Sequence, residues 1–198
     1  NGKKLPQVKG QVTGPFTFGL GLNDQNLKAV WFNEQYKDIV LKGLSMKARW
    51  MARRLGEVGE RVLIFFDEPI LSALGTPAYM GIEDSHVIAG LNEVIEAVHA
   101  EGGRAGIHCC GNMDWGLLTR TAIDIIAFDA YYYGEKVALY PEQIQSFLEK
   151  GGMLAWGIVP TSDAESIQAE SVAGLRQKTE NLFELFIKKG IKTLYVSI

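Results

Sequence analysis

One seven-residue segment, Gly106-Ile-His-Cys-Cys-Gly-Asn112, combines an imidazole, two thiols and an amide. His108 and Cys110 stand two residues apart, so in an extended segment their side chains lie on the same side. An imidazole nitrogen and a thiolate there would occupy two corners of a zinc tetrahedron, with bond lengths of about 2.0 to 2.3 Å, while Cys109 points into the packing. The alternative is a buried cysteine pair beside a merely hydrogen-bonded His108, since free cysteine is often buried. Two ligands do not make a site, so the spacing leaves both interpretations open.

Carboxylates follow two other apolar runs. Asp67 and Glu68 come directly after Leu63–Phe66, and Asp129 comes after Ile125–Phe128. Because buried charges need partners, these carboxylates are unfavourable in a packed core. Their place at the end of an apolar run favours a functional role. The alternative for the Asp67-Glu68 pair is one solvated carboxylate and one that caps a loop. Asp129 would supply an oxygen ligand to the metal or orient His108.

Other candidates have weaker signals. The aromatic run Tyr131–Tyr133 either lines a pocket or forms a packed rim. Gly14-Pro15 indicates a turn. His86 and His99 are predicted to be surface residues without a partner nearby.

The elements that position these residues repeat as a unit of apolar run, polar loop and amphipathic helix. Each run is apolar at consecutive positions, as in strands buried on both faces. The predicted strands are Gln7–Thr13, Arg61–Phe66, Gly103–His108, Ile123–Asp129, Met153–Val159 and Lys192–Ile198.

Capping residues indicate where the helices begin. Asn23 is predicted to cap a long helix that reaches about Gly56, and Ser85 a helix stopped by Gly102-Gly103. Ser162 and Glu165 form a capping-box pattern ahead of a helix that ends at Lys188-Lys189-Gly190.

Alternation of strands with helices predicts an α/β fold with parallel strands. A complete (β/α)₈ TIM barrel needs about 250 residues, so six strand–helix units predict an incomplete barrel. No linker or change of composition divides residues 1–198, which predicts a single barrel domain. The chain begins at Asn1 and ends within a predicted strand, so we expect it to be truncated at one or both ends. No glycine-rich nucleotide-binding motif follows a predicted strand, which argues against a dinucleotide-binding sheet.

Composition excludes several classes. The 198 residues carry a formal net charge of −3 without a basic cluster, so a nucleic-acid partner is not expected. The apolar runs are too short to cross a bilayer, and no basic-then-apolar leader opens the chain, so no membrane partner is expected. Two adjacent cysteines cannot form a disulfide framework, which predicts a cytoplasmic protein.

Three segments together resemble a known superfamily. Gln11-Val-Thr-Gly-Pro-Phe-Thr17, Phe66-Asp-Glu-Pro69 and His108-Cys-Cys-Gly-Asn112 occur in this order on successive predicted strands, and Gly157-Ile-Val-Pro-Thr161 also fits. They resemble cobalamin-independent methionine synthase, the corrinoid:thiol methyltransferases and uroporphyrinogen decarboxylase. The His-x-Cys segment is typical of the zinc-dependent methyltransferases, closest to the C-terminal domain of methionine synthase.

The resemblance implies a (β/α)₈ barrel that binds Zn²⁺ through His108 and Cys110. It also implies a further cysteine near the C-terminus, which would lie beyond Ile198, and a glutamate on the following strand, where this chain has Asp129. The Asp-Glu-Pro region contributes to amino-acid substrate binding in methionine synthase. Asp67 and Glu68 are therefore substrate-binding candidates, together with Thr13 and Asn112 of the neighbouring matched segments.

The expected function is zinc-dependent transfer of a methyl group from a methyl-folate or methyl-corrinoid donor to a small thiol such as homocysteine, a step of methionine biosynthesis. Zinc coordination would deprotonate the thiol, whose free pKa is about 8.5. Two alternatives are a metal-free enzyme of the uroporphyrinogen decarboxylase type and a non-catalytic barrel that binds a thiol or corrinoid. The decarboxylase would need cationic side chains near the site, yet Arg49, Arg53 and Arg54 lie on a predicted helix and Arg104 begins a strand.

Overall fold

A computed structural model describes residues 3–192 as a mixed α/β structure around one parallel sheet. The sheet has five strands, β1 (Leu5–Thr13), β2 (Gly59–Asp67), β3 (Arg104–Cys109), β4 (Ile125–Phe128) and β5 (Met153–Trp156). Each of these strands was predicted, with boundaries that differ by a few residues. The sixth predicted strand, Lys192–Ile198, lies almost wholly outside the described residues.

The strands follow one another in the order β1-β2-β3-β4-β5, and each neighbouring pair is parallel. Every crossover therefore steps in the same direction across the sheet, without the reversal that defines a doubly wound sheet. Within the described part of the chain, β1 and β5 are the two edges, so these strands by themselves do not close a barrel.

Eight α-helices connect or follow the strands in the described residues. They are α1 (Pro15–Gly21), α2 (Glu34–Gly56), α3 (Asp84–His99), α4 (Trp115–Leu118), α5 (Ala130–Val137), α6 (Pro141–Glu149), α7 (Ala164–Ala169) and α8 (Val172–Lys188). Short 3-10 helices occupy Val30–Phe32, Pro69–Ala73 and Pro77–Tyr79. No helix in this part of the chain combines the length and the apolarity needed to span a bilayer.

The long helix begins later than the sequence predicted. Asn33, not Asn23, is its N-cap, and the Asn33 side chain accepts hydrogen bonds from the backbone N–H groups of Gln35 and Tyr36. The Asp24 side chain upstream accepts from two backbone N–H groups of its own loop, at distances of 2.8 and 3.0 Å. Such local bonding offers the backbone an alternative to a helix, which explains the error.

The other predicted N-caps differ from the observed ones by one or two residues. Helix α3 starts at Asp84, with Glu83 rather than Ser85 at the N-cap, and Gly102 adopts a positive φ of 72° where the sequence predicted the stop. The segment after the predicted capping box of Ser162 and Glu165 divides into two helices, which Asp163 and Ser171 cap. The division occurs where Glu170 is extended, with a ψ of 149°.

The two faces of the sheet bury different clusters. One face packs against the helices, and its main cluster includes Ile64, Phe66 and Ile107 with Leu91 and Ile95 of α3. The opposite face carries a second cluster made only of strand residues, namely Leu63, Phe65, Ile125 and Ala127 with Met153 and Ala155. We call this second surface the inner face. Because side chains alternate along a strand, it also receives Gln11, Thr13, Asp67 and His108.

His99 was predicted to have no partner, and that was wrong. Its Nε2 lies 2.7 Å from an Asp124 carboxylate oxygen, which also accepts a hydrogen bond from the backbone N–H of Ala105. The pair joins the end of α3 to the segment before β4. Sequence spacing gave no sign of this contact because the two residues are 25 positions apart.

Candidate functional site

Three predicted site residues occupy one row across the sheet. Thr13 of β1 is the register partner of Asp67 of β2, and Asp67 is the register partner of His108 of β3. Neighbouring strands are about 4.8 Å apart, so the three backbones are immediate neighbours at the carboxyl ends of the strands. The row lies on the inner face. The predicted position of Asp67 and His108 at the carboxyl ends of their strands is confirmed.

A glutamine that the sequence analysis did not select as a site residue fixes the position of Asp67. Gln11 Nε2 lies 2.7 and 2.8 Å from the two carboxylate oxygens of Asp67, and Gln11 Oε1 accepts a hydrogen bond from Lys9 at 3.1 Å. Lys9, Gln11 and Thr13 alternate along β1 onto the inner face. That period of two was the available signal for Gln11.

Glu68 points away from the row and is completely buried. Its carboxylate accepts hydrogen bonds from the backbone N–H of Phe16 at 2.9 Å and from the backbone N–H and hydroxyl of Thr17, both at 2.7 Å. Burial raises the pKa of Glu68 to about 7, although these three donors favour its charged form. Both oxygens are thus already bonded, and any effect of Glu68 on a substrate is indirect.

The turn at Gly14 is shaped to admit this carboxylate. A Cβ atom added at Gly14 would lie 2.3 Å from Cδ of Glu68, so no other residue fits without displacing it. The Gly14 N–H also donates to the Asp67 carbonyl at 2.8 Å. Glu68 and Gly14 together tie the start of α1 to the ends of β1 and β2, which agrees with the alternative that one carboxylate of the Asp67-Glu68 pair caps a loop.

The two cysteines have opposite environments. Cys109 is buried on the helix side of β3, and burial raises the pKa of its thiol to about 11, so this thiol is protonated and inert near neutral pH. Cys110 is exposed just past the end of β3. His108, two residues before it, is half-buried on the inner face. The prediction that Cys109 enters the packing is confirmed, and His108 and Cys110 remain the accessible donors.

Asp129 lies two residues past Ala127, which is the register partner of His108 on β4. Its carboxylate caps α5 by accepting a hydrogen bond from the backbone N–H of Tyr132 at 3.2 Å. Burial raises the pKa of Asp129, while the backbone N–H groups of Tyr132 and Tyr131 and, to a smaller extent, the charge of His108 lower it. One oxygen of Asp129 already caps a helix, so a contact with His108 would use the other.

Asn112 is exposed in the loop between β3 and α4. Gly111 beside it packs so closely on Ser72 that an added Cβ would lie 2.5 Å from the Ser72 Cβ. This contact fixes the start of the loop against the segment that follows Glu68.

The tyrosine run forms a packed rim, as one of the two interpretations predicted. The Tyr131 hydroxyl donates to Glu170 at 2.6 Å, the Tyr132 hydroxyl donates to Asp163, and Lys178 Nζ lies 3.6 Å from the centre of the Tyr131 ring. These contacts attach α5 to the segment that carries α7 and the start of α8.

The donor types at the strand ends suit zinc, but their number is small. Among residues 3–192, no group of three or more His, Cys, Asp and Glu side chains is close enough to hold a metal ion. His108 and Cys110 provide one nitrogen and one sulfur donor, and a tetrahedral site needs further ligands.

Comparison of the chain with models of known protein families gave no match, and comparison with curated proteins gave none either.

Proposed function

We propose that this protein is an S-methyltransferase that transfers a methyl group from a methylated folate or corrinoid to a small thiol such as homocysteine. The observation that carries the proposal is the row of Thr13, Asp67 and His108 at adjacent strand ends, with Cys110 exposed directly beyond it. A hydroxyl, a carboxylate and an imidazole then face one region, and an exposed thiol follows two residues after the imidazole. This set suits an amino-acid thiol that must be held and oriented.

The proposed scaffold is a (β/α)₈ barrel. Two observations support it: the strands follow one another without reversal, and the inner face has an apolar cluster of strand residues alone. In such barrels the active site lies at the carboxyl ends of the strands, where the row lies.

Asp67 is the proposed anchor for the amino group of the substrate. Gln11 holds its carboxylate in one orientation, and a carboxylate has enough lone pairs to accept additional hydrogen bonds. The exposed Thr13 and Asn112 offer further polar contacts from the neighbouring strand ends. Orientation of the thiol toward the methyl donor is the main contribution expected of these residues.

His108 and Cys110 are the proposed zinc ligands, with Asp129 as a residue that orients His108. Bound zinc would keep the acceptor sulfur deprotonated near neutral pH. The remaining ligand is proposed to come from outside residues 3–192, since the described residues contain no group of three suitable donors.

Zinc content tests the proposal independently of activity. We expect equimolar zinc in the full-length protein purified under reducing conditions, and its loss in His108→Ala and Cys110→Ala. His86→Ala and Cys109→Ala are the matched controls, because His86 is exposed on α3 and Cys109 faces the core; both should retain zinc. Wild-type protein without zinc, or His108→Ala and Cys110→Ala proteins that retain it, would contradict the metal site.

Methyl transfer is then measured with homocysteine and either methyl-folate or methylcobalamin. Zinc binding without transfer from either donor would support the non-catalytic thiol-binding alternative instead. No observation favours the decarboxylase alternative: Arg49 and Arg53 pair with Glu101, and Arg104 begins β3 at the end opposite to the row.

A further inference from the structure

The outward side of α2 carries an unusual set of exposed apolar side chains. Tyr36, Ile39, Met46 and Trp50 are 45%, 65%, 71% and 61% exposed, and Gly43 lies among them. Single exposed apolar residues are common, but a contiguous apolar patch on a folded protein often marks an interaction surface. We call these five residues the α2 stripe.

The positions in the α2 stripe follow alternating steps of three and four residues. This is the spacing of the contact seam between paired helices. The stripe spans about 21 Å along the helix at 1.5 Å per residue. The other side of α2 is already occupied, since its core positions are Val40, Leu41, Leu44, Ala48 and Ala52. The stripe is thus a second apolar surface on a helix whose first one packs inside the protein.

Charges along α2 indicate which partner fits the stripe. The amino-terminal part carries Glu34 and Asp38, each paired with a lysine of the same helix, so this part is neutral overall. The carboxyl-terminal part carries only positive charges, on Lys47, Arg49, Arg53 and Arg54. Two parallel copies would place these two basic parts side by side, whereas two antiparallel copies would place each basic part beside a neutral part and avoid that repulsion.

The stripe is also self-complementary. Gly43 lies at its centre, seven residues from both Tyr36 and Trp50, so a two-fold axis at Gly43 would bring Tyr36 of one copy to Trp50 of the other. A Cβ added at Gly43 would have no atom within 4 Å, so nothing inside the described chain requires glycine there. A glycine within a helix costs about 0.5–1 kcal/mol relative to alanine. Close approach of a second helix would explain why glycine occupies position 43.

We propose that two copies of this chain associate through antiparallel contact of their α2 stripes. The four side chains expose roughly 400–500 Å² per copy, so with flanking atoms the dimer would bury about 1,000 Å² or more, the lower end of specific interfaces. An interface of this size is typical of a reversible association rather than of an obligate dimer.

Sedimentation equilibrium of the whole chain tests the association. We expect wild-type protein to dimerise reversibly with concentration, and Ile39→Glu and Trp50→Glu to shift the dissociation constant at least tenfold toward the monomer. Ile187→Glu is the matched control, because Ile187 is an apolar residue of α8 with a similar exposure of 59%; it should dimerise like wild type. Wild-type protein that stays monomeric throughout, or an Ile39→Glu variant that dimerises normally, would overturn the proposal.

The Gly43→Ala variant distinguishes a helix that forms a dimer interface from a helix that is only exposed to solvent. The monomer should become more resistant to urea because alanine favours the helix, while the dimer should weaken because the added methyl group separates the helices. A more stable monomer with an unchanged dimer would overturn the proposed contact at Gly43.

Orientation is tested by cross-linking in a Cys110→Ser background with a short thiol-reactive linker. Tyr36→Cys should cross-link to Trp50→Cys in a mixture and much less to itself; the reverse pattern would overturn the antiparallel arrangement. A monomer that instead binds phosphatidylserine vesicles, and loses that binding in Trp50→Glu, would assign the stripe to a membrane surface and overturn the dimer.

Discussion

Asp67 and Glu68 are adjacent in the chain but have different environments. Asp67 is the last residue of β2 and lies on the inner face, where Gln11 holds it. Glu68 turns to the helix side, is fully buried, and bonds the first turn of α1. The strand alternation separates the two carboxylates, so Asp67 is available to a substrate and Glu68 holds the backbone beneath it.

Replacement of Glu68 by glutamine should lower the free energy of unfolding. The amide has only one acceptor oxygen, so either the Phe16 or the Thr17 backbone N–H would face its NH₂ group and lose its acceptor, and an unsatisfied buried donor costs about 1–3 kcal/mol. Glu68→Ala should cost more, because it removes every acceptor and leaves a cavity. Urea unfolding at pH 5 measures both variants.

Asp67→Asn is the control for this measurement. The amide oxygen introduced by this substitution can still accept from Gln11 at a partly exposed position, so the unfolding free energy should change by less than about 0.5 kcal/mol. Glu68→Gln with wild-type stability would show that the contact with α1 is not a stabilising one.

Sequence patterns predicted where Asp67 and His108 lie in the sheet better than they predicted side-chain contacts. Asp67 and His108 could be placed because each ends an apolar run, and the ends of parallel strands meet at one edge. The bonds of Glu68 could not be predicted, since its partners lie more than 50 residues upstream at a helix start without a capping side chain. The zinc ligand roles of His108 and Cys110 stay a prediction.

At the scale of elements, α2 shows how local hydrogen bonds decide where a helix begins. The sequence analysis selected Asn23 as the cap, but Asp24 binds the backbone of the loop that follows Asn23. Leu27 within this loop has a φ of 60°, in the left-handed region that no helical residue adopts. The helix therefore begins after the next available cap.

Asn33→Ala should destabilise the protein by about 1 kcal/mol, because two backbone N–H groups of α2 lose their acceptor. Asn23→Ala is the matched control and should change the free energy of unfolding by less than about 0.5 kcal/mol. Thermal unfolding of the two variants checks the difference. A larger loss for Asn23→Ala would mean that the helix starts where the sequence first suggested.

Strands were easier to predict than helix boundaries. Consecutive apolar residues indicated β1 to β5 because parallel strands are buried on both faces. The division between α7 and α8 was not predicted, since the tyrosine contacts that hold Asp163 and Glu170 come from α5. Closure of the sheet into a barrel also stays a prediction, because the described strands end at β5.

For the whole molecule, two carboxylates give stability opposite dependences on pH. Glu101, after the end of α3, bonds Arg49 and Arg53 of α2, and these guanidinium groups lower its pKa to about 2. Its stabilising contribution is present above its unfolded pKa of about 4.5 and is lost as the pH falls from there toward 2. Glu68 has a raised pKa of about 7, so its contribution is complete below 4.5 and is lost as the pH rises through 7.

The free energy of unfolding should therefore decrease on both sides of about pH 4.5. Each of the two decreases should become smaller in a different variant. Glu101→Gln should reduce the loss between pH 4.5 and 2, and high salt should reduce it in wild type, because the ion pairs of Glu101 are screened. Glu68→Gln should reduce the loss between pH 4.5 and 7 and leave the acid side unchanged. Exposed Glu60→Gln on β2 is the control and should retain both losses. Urea midpoints measured across this pH range check the assignment. If the free energy of unfolding falls as much between pH 4.5 and 2 in Glu101→Gln as in wild type, Glu101 does not join α2 to α3 through charge.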